Sequence, residues 1–418
     1  VYVNQGSIDI KDSTFNGNTA TNNGGAIYNT DKGIVTVSGS TFNANSAKDG
    51  GAIYNAGKMT VTDSTFSGNT ATQNGGAVYN EVDAVVTLKA EQDDVLFSTA
   101  TDTVYNEGTI NVSAESGNKV VFDGAISGTD GVINLNNGDV NVNTTVSGNT
   151  VNLNSATLNM GTSSSFDDTT NLVSNGGVVS FLNNELQTTN LGNITLNSNM
   201  RFDLDVDLST QTGDIISASA PVVAGSNSIL INTINFLNDT SEDNLSINIA
   251  DENTRSYIAL APDFNIITTA TRIANYITFD TNTGDLILAY NYKLADAVAD
   301  TQTQRLYSMS EDENVESDLG NMAGDNATLT VSGRGHSVVA ETSGTKGITV
   351  QDGQTLTITN VNGANGGFTG FGDDTALGGA INNSGTLNVN NSRMTANTAE
   401  NGGAVYNSGT ANISKSSL

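Results

Sequence analysis

Hydrophobic and polar residues alternate along this chain in short bursts, and turn residues cut each burst off. Between Gly51 and Ala71 the small or apolar positions are Ile53, Met59, Val61, Ser64, Phe66 and Ala71, with polar residues between them. Met59-Thr60-Val61 has the period of two of a half-buried strand. Asn55-Ala56-Gly57, Asp63-Ser64, Ser67-Gly68-Asn69 and Asn74-Gly75-Gly76 interrupt the pattern, and such clusters mark tight bends. Three short strands joined by three bends use roughly 24 residues, which predicts an all-β fold, a right-handed parallel β-helix (β-solenoid) with three strands per coil. Glycine and β-branched residues recur too often for the helices of an α-solenoid.

The period is written into the chain as repeated phrases. Gly-Gly-Ala-Ile-Tyr-Asn at Gly24–Asn29 returns at Gly50–Asn55, and as Gly-Gly-Ala-Val-Tyr-Asn at Gly75–Asn80. Related phrases stand at Gly378–Asn383 and Gly402–Asn407. A second phrase, Ser-Thr-Phe-x-x-Asn-x-Ala, begins at Ser13, Ser40 and Ser64. Residues two apart share a strand face. If Ile27, Ile53 and Val78 point inward, Asn29, Asn55, Asn80, Asn383 and Asn407 share that side. Stacked rungs about 4.8 Å apart then let each amide bond the next in a ladder. Asn18, Asn45, Asn69 and Asn397 form a second ladder. Phe15, Phe42, Phe66 and Met394 fill one core column, and Ser13, Ser40, Ser64 and Ser392 a neighbouring one. By the same parity Tyr28, Tyr54 and Tyr79 face outward, as a flat aromatic strip able to take a sugar ring or a partner surface, or to cover the flank.

The Gly-Gly-Ala-Ile/Val phrase beside Phe-x-x-Asn resembles the repeats of the chlamydial polymorphic outer-membrane protein family. The double motif covers residues 1–80 and 378–418; the middle of the chain is similar only in its Asn/Thr/Val-rich alternation. More broadly the chain resembles the β-helical passenger domains of Gram-negative autotransporter adhesins. The resemblance implies export through an outer-membrane β-barrel translocator, an extracellular or cell-surface location, and adhesion to a glycan or protein on a host or neighbouring cell. A polysaccharide-cleaving β-helix, as in lyases or phage tailspikes, and a purely structural spacer are the other readings.

Four stretches are expected: regular coils over 1–208, less regular and more apolar coils over 209–292, a linker or short helical excursion over 293–322, and resumed coils over 323–418. Val1-Tyr2-Val3-Asn4 matches the end of a Tyr-Asn phrase and Leu418 falls in the Phe66 slot. Both ends would therefore interrupt a coil, as in an internal piece of a longer protein. No stretch approaches 18 apolar residues, and these residues hold no basic-then-apolar leader, so neither a membrane-spanning helix nor a signal peptide is expected within them.

Composition adds two exclusions. Fifteen basic residues against 44 acidic give a net charge of −29, which makes nucleic acid and anionic membrane surfaces poor partners. With no cysteine, disulfide frameworks and Cys-ligated metals are ruled out. Catalysis has little to work with, and no cofactor or metal is expected. The one histidine, His336, sits in a loop-like Gly-Arg-Gly-His stretch and reads as solvated. Asp12 and Asp63 share a slot but are separated by Gly39, roughly 10 Å of stack, too far for a carboxylate pair. Asp203, Asp205 and Asp207 alternate along one strand, with a spacing of nearly 7 Å that fits a calcium chelate poorly and suits a solvated face.

Overall fold

A computed structural model describes residues 1–268 and 274–418. It is a β-solenoid of parallel stacked coils, and it divides into two compact units. Unit 1 comprises Val1–Asp207, Thr212–Phe236 and Ile249–Ile267; unit 2 comprises Leu208–Gln211, Leu237–Asn248 and Thr268–Leu418.

In unit 1, one coil runs through strands Gly33–Ser38, Thr41–Asn43, Ser46–Asp49 and Ile53–Asn55. The next runs through Lys58–Thr62, Thr65–Ser67, Thr70–Asn74 and Val78–Asn80. Each strand pairs in parallel with its counterpart in the next coil, so like falls on like: Ile27, Ile53, Val78 and Val104 are in register, as are Phe15, Phe42 and Phe66. The inward column Phe42–Phe66–Phe97–Phe122 stacks at 4.7–5.0 Å between centroids and is fully buried. Beyond Asn106 the coils contract: Gly131–Val142 and Asn149–Met160 pair along their length at an offset of 18 residues.

The corners explain the glycines. Each full repeat turns at three left-handed residues: Asp12, Gly17 and Gly24, then Gly39, Ala44 and Gly50, then Asp63, Gly68 and Gly75. Asp, Asn and Gly tolerate this conformation best. The second glycine of each pair meets a different constraint. A Cβ on Gly51 would lie 2.2 Å from the carbonyl oxygen of Gly76 and 2.3 Å from that of Thr70, so the space between rungs is closed to any side chain.

Inside the coils, polar columns run beside the apolar ones. Asn29 Nδ2 donates to Asn55 Oδ1 (2.8 Å), Asn55 to Asn80 (2.9 Å), Asn80 to Asn106 (2.8 Å) and Asn106 to Asn149 (3.0 Å). Asn149 reaches across the rung where Gly128 provides no side chain, and ends the ladder on the carbonyl of Ser147. Asn18, Asn45 and Asn69 form the second ladder (2.9 and 3.0 Å), which ends on the buried carboxylate of Asp102. In unit 2, Asn383 donates to Asn407 (2.6 Å). Asn397 donates to the Phe368 carbonyl, as Asn45 and Asn69 do to those of Phe15 and Phe42, and accepts the Phe371 N–H.

Unit 2 starts with an antiparallel hairpin, Tyr276–Asp280 with Asp285–Ala289, flanked by Asn244–Asn248 on one side and Gln304–Ser308 on the other. From Gln304–Ser308 the sheet continues in parallel through Thr328–Ser332, Thr355–Thr359, Thr386–Asn390 and Thr410–Ser414. The helix Leu294–Ala299 occupies the start of the 293–322 stretch. The rest of that stretch is already coil, since Glu313–Val315 and Gly320–Asn321 pair with Val338–Ala340 and Ile348–Val350. Leu294, Ala297 and Val298 join a core of Val331, Ile348, Ile358, Phe368 and Ile381. Buried Arg305 donates to the carbonyls of Ala297, Val298 and Asp300 at the helix C-terminus, and to that of Ala323.

The two kinds of glycine give opposite expectations. Gly51→Ala forces two rungs apart and costs about 3 kcal/mol or more. Gly68→Asn keeps the left-handed corner, with nothing within 4 Å of its Cβ, and changes stability by about 0.5 kcal/mol or less. Thermal unfolding of both variants checks the contrast; equal midpoints would contradict this account of the Gly-Gly phrase.

Candidate functional site

Tyr28, Tyr54 and Tyr79 alternate with the buried Ile27/Asn29, Ile53/Asn55 and Val78/Asn80, and so stand on the outer side of the coil wall. The column is longer than the phrase suggests. Tyr2 precedes it and Tyr105 follows, and all five rings stack near-parallel with centroids 4.8–5.2 Å apart. This geometry changes what the strip can offer. Rings stacked face to face cover one another, so solvent meets their edges rather than a flat aromatic platform. Tyr54 is only 8 % exposed, whereas Tyr2 at the end of the stack is 67 % exposed.

The surroundings are acidic. The Tyr79 hydroxyl donates to Glu107 Oε2 at 2.6 Å, and the Tyr54 hydroxyl engages Glu81. Burial, followed by these carboxylates, pushes both phenols above their ordinary range. Tyr54 and Tyr79 are therefore tied to the next rung by a Glu that follows the ladder Asn, whereas Ala56 holds that place beyond Tyr28. The column is a stiff ridge of ring edges and carboxylates.

The candidate acids separate into different roles. Asp12 and Asp63 occupy left-handed corners at φ 46° and 48°, with Gly39 at 57° between them. The carboxylate of Asp63 accepts the backbone N–H groups of Glu91 and Gln92, which anchors the loop there. His336 Nδ1 lies 3.7 Å from Asp312, a carboxylate that also takes the Ser337 N–H and the Asn365 amide. The described residues contain no group of three or more acidic or histidine side chains placed to hold a metal.

The Asp203–Asp205–Asp207 row is not a uniform solvated face. Asp203 and Asp207 are partly exposed, but Asp205 is fully buried. Strand Thr212–Gly213 pairs antiparallel beside it, and the Asn183–Asn184 backbone donates to its Oδ2 at 2.9 and 2.6 Å. Asn235 Nδ2 donates to its Oδ1 at 2.7 Å. Buried next to it, Asp214 accepts the N–H groups of Gln187 (2.9 Å) and Asp205 (2.7 Å). Burial, and secondly the charge of Asp205, outweigh these hydrogen bonds and raise the Asp214 carboxyl to about 7. Strand alternation places Asp205 outside, so the sequence pattern held no signal for a pair enclosed by the 183–187 segment and Asn235.

Two outcomes follow from this geometry. Tyr54→Ser removes a buried ring stacked on both faces and costs about 2 kcal/mol, while Tyr2→Ser at the exposed end costs about 0.5 kcal/mol or less; the two midpoints of thermal unfolding check this. For Asp214, the folded-state pKa near 7 lies above the unfolded value of about 3.9. The folded state then holds the extra proton between those values, so the contribution of Asp214 to stability is greatest below about pH 4 and is lost as pH rises to about 7. In Asp214→Asn that decline is expected to shrink over the same window, read from unfolding midpoints between pH 4 and pH 8.

No helix among the described residues is long and apolar enough to cross a membrane, which leaves β-barrels unaddressed. No curated protein and no solved structure matches the chain. Three stretches, residues 12–30, 39–56 and 63–81, match the Chlamydia polymorphic membrane protein (Chlamydia_PMP) repeat. Each begins at or beside a left-handed corner (Asp12, Gly39, Asp63) and runs through the Phe column to the inner Asn ladder. Three N-terminal coils are thus similar to the repeats of Chlamydia polymorphic membrane proteins.

Proposed function

We propose that this chain is the surface-exposed passenger of a Gram-negative type V-like secreted protein, carried out through an outer-membrane β-barrel translocator. It acts without catalysis, as a stalk and adhesive face toward a glycan or protein on a host or neighbouring cell. The observation that carries the reading is the coincidence of the family repeat with the structural rung: each matched stretch supplies the corners, the Phe and the Asn that stack one coil on the next. A solenoid whose rungs contact only their neighbours suits export, because each coil can fold on the one already outside. The acidic, cysteine-free composition fits a solvated exterior.

Antibodies against the chain, applied to intact and permeabilised cells of the producing bacterium, test the location. Labelling of intact cells is the expected result, and labelling only after permeabilisation would refute the surface reading. Beads coated with the purified chain and washed over epithelial cells test adhesion, where retention no greater than for uncoated beads would reduce the role to that of a stalk.

A further inference from the structure

Unit 2 contains a cavity of about 510 Å³ between the hairpin and the first parallel coil, within the size range of small-molecule sites. Tyr290, Tyr307 and Met309, all buried, form its base, and half-buried Tyr292 lines one side. The aromatic groups are fixed before any ligand arrives. Tyr292 lies against Tyr276 with ring centroids 4.1 Å apart, and its hydroxyl donates to Asp300 at 3.2 Å. Its backbone is held at both polar atoms by the Asn275 amide, at 2.9 and 2.5 Å. The Tyr307 hydroxyl donates to Glu313 Oε2 at 2.6 Å. With its hydroxyl engaged, Tyr292 presents ring carbon to the cavity, while buried Tyr290 and Tyr307 underlie it.

The mouth has a different character. Lys293, Ser310 and Glu311 are exposed there, and neither Lys293 nor Glu311 has an ion-pair partner among the described residues. An ammonium and a carboxylate at one opening give a free ion of either sign one attractive and one repulsive neighbour, so charge selects neither. A neutral ligand with donors, acceptors and a carbon face uses both groups as hydrogen-bond partners. Its C–H face can lie on Tyr292 while its hydroxyls accept from Lys293 and donate to Glu311.

We propose that this cavity is a binding site for a neutral saccharide, taking a terminal hexose or N-acetylhexosamine of a glycan. The site is separate from the tyrosine column and does not rest on the surface reading, because the purified chain should bind whether or not it is exported.

Saturation-transfer NMR on the purified chain tests it, with glucose, galactose, mannose, N-acetylglucosamine and their β-linked disaccharides as probes, and tetramethylammonium and acetate for comparison. At least one saccharide should bind, and Lys293→Ala combined with Glu311→Ala should weaken it roughly tenfold or more, the loss of one or two hydrogen bonds. Both side chains are exposed, so the variant's unfolding midpoint should match the parent's. Ser310→Trp, which fills the mouth from its rim, should weaken the same saccharide. Failure of every saccharide to bind, binding unaffected by both variants, or preferential binding of tetramethylammonium or acetate would overturn the proposal. Bead adhesion can fail while saccharide binding persists, so the two readings are tested apart.

Discussion

Vertical stacking in parallel register is the constraint on which the rest of this protein depends. Once Ile53 sits on Ile27, every neighbouring slot is fixed to its counterpart one rung away. A residue is then judged less by its own propensity than by how well it tolerates a copy of itself about 4.8 Å above and below. Phenylalanine, tyrosine and asparagine meet that test in different ways, through stacked rings on both sides of the wall and through amides that donate and accept along one line. The spacing also closes the gap between rungs, and that closure requires the glycines.

Polar columns inside a solenoid satisfy their interior members automatically and leave their ends to be solved separately. Asp102 closes one ladder, offering acceptors to the Asn69 side chain and to the backbone N–H groups of Gly68 and Asn69. Asn149 closes the other on a backbone carbonyl. At the opposite end, Asn29 and Asn383 each leave a buried Oδ1 without a partner, because the residue in register on the preceding rung is a valine, Val3 or Val350. The outer asparagines run the other way. Asn152 donates back to Asn134 and Asn134 to Asn111, while Asn197, Asn175, Asn154 and Asn136 form a second external series.

Buried charge collects where this regularity fails. Asp205 and Asp214 lie where an antiparallel strand interrupts unit 1, and Arg305 lies where a short helix enters unit 2. In each place an irregular backbone leaves donors or acceptors without a rung to pair with, and an ionisable side chain takes them up. The aromatic cavity of unit 2 belongs to the same kind of place, beside the hairpin that departs from the coil. Regular coils make a continuous wall, and concavities suited to small ligands arise where the wall is broken.

The sequence alone determined the period, the all-β architecture and the composition of the stacked columns, because a coil that sees only its neighbours must repeat its own solution. Asn29, Asn55 and Asn80 could be placed on one inner line by counting parity from Ile27, Ile53 and Val78. Counting parity could not show that Tyr54 would be covered by its own neighbours, since exposure of a stacked ring depends on centroid distance and tilt. Nor could it place Asp205 inside, because its carboxylate is enclosed by the Asn183–Asn184 backbone and the Asn235 amide, groups distant in the chain. The hairpin Tyr276–Ala289 and the pocket beside it lie in the same category, with no repeat to compare. Local periodicity settles whatever neighbouring rungs decide, and tertiary structure settles what is covered by segments distant in the chain.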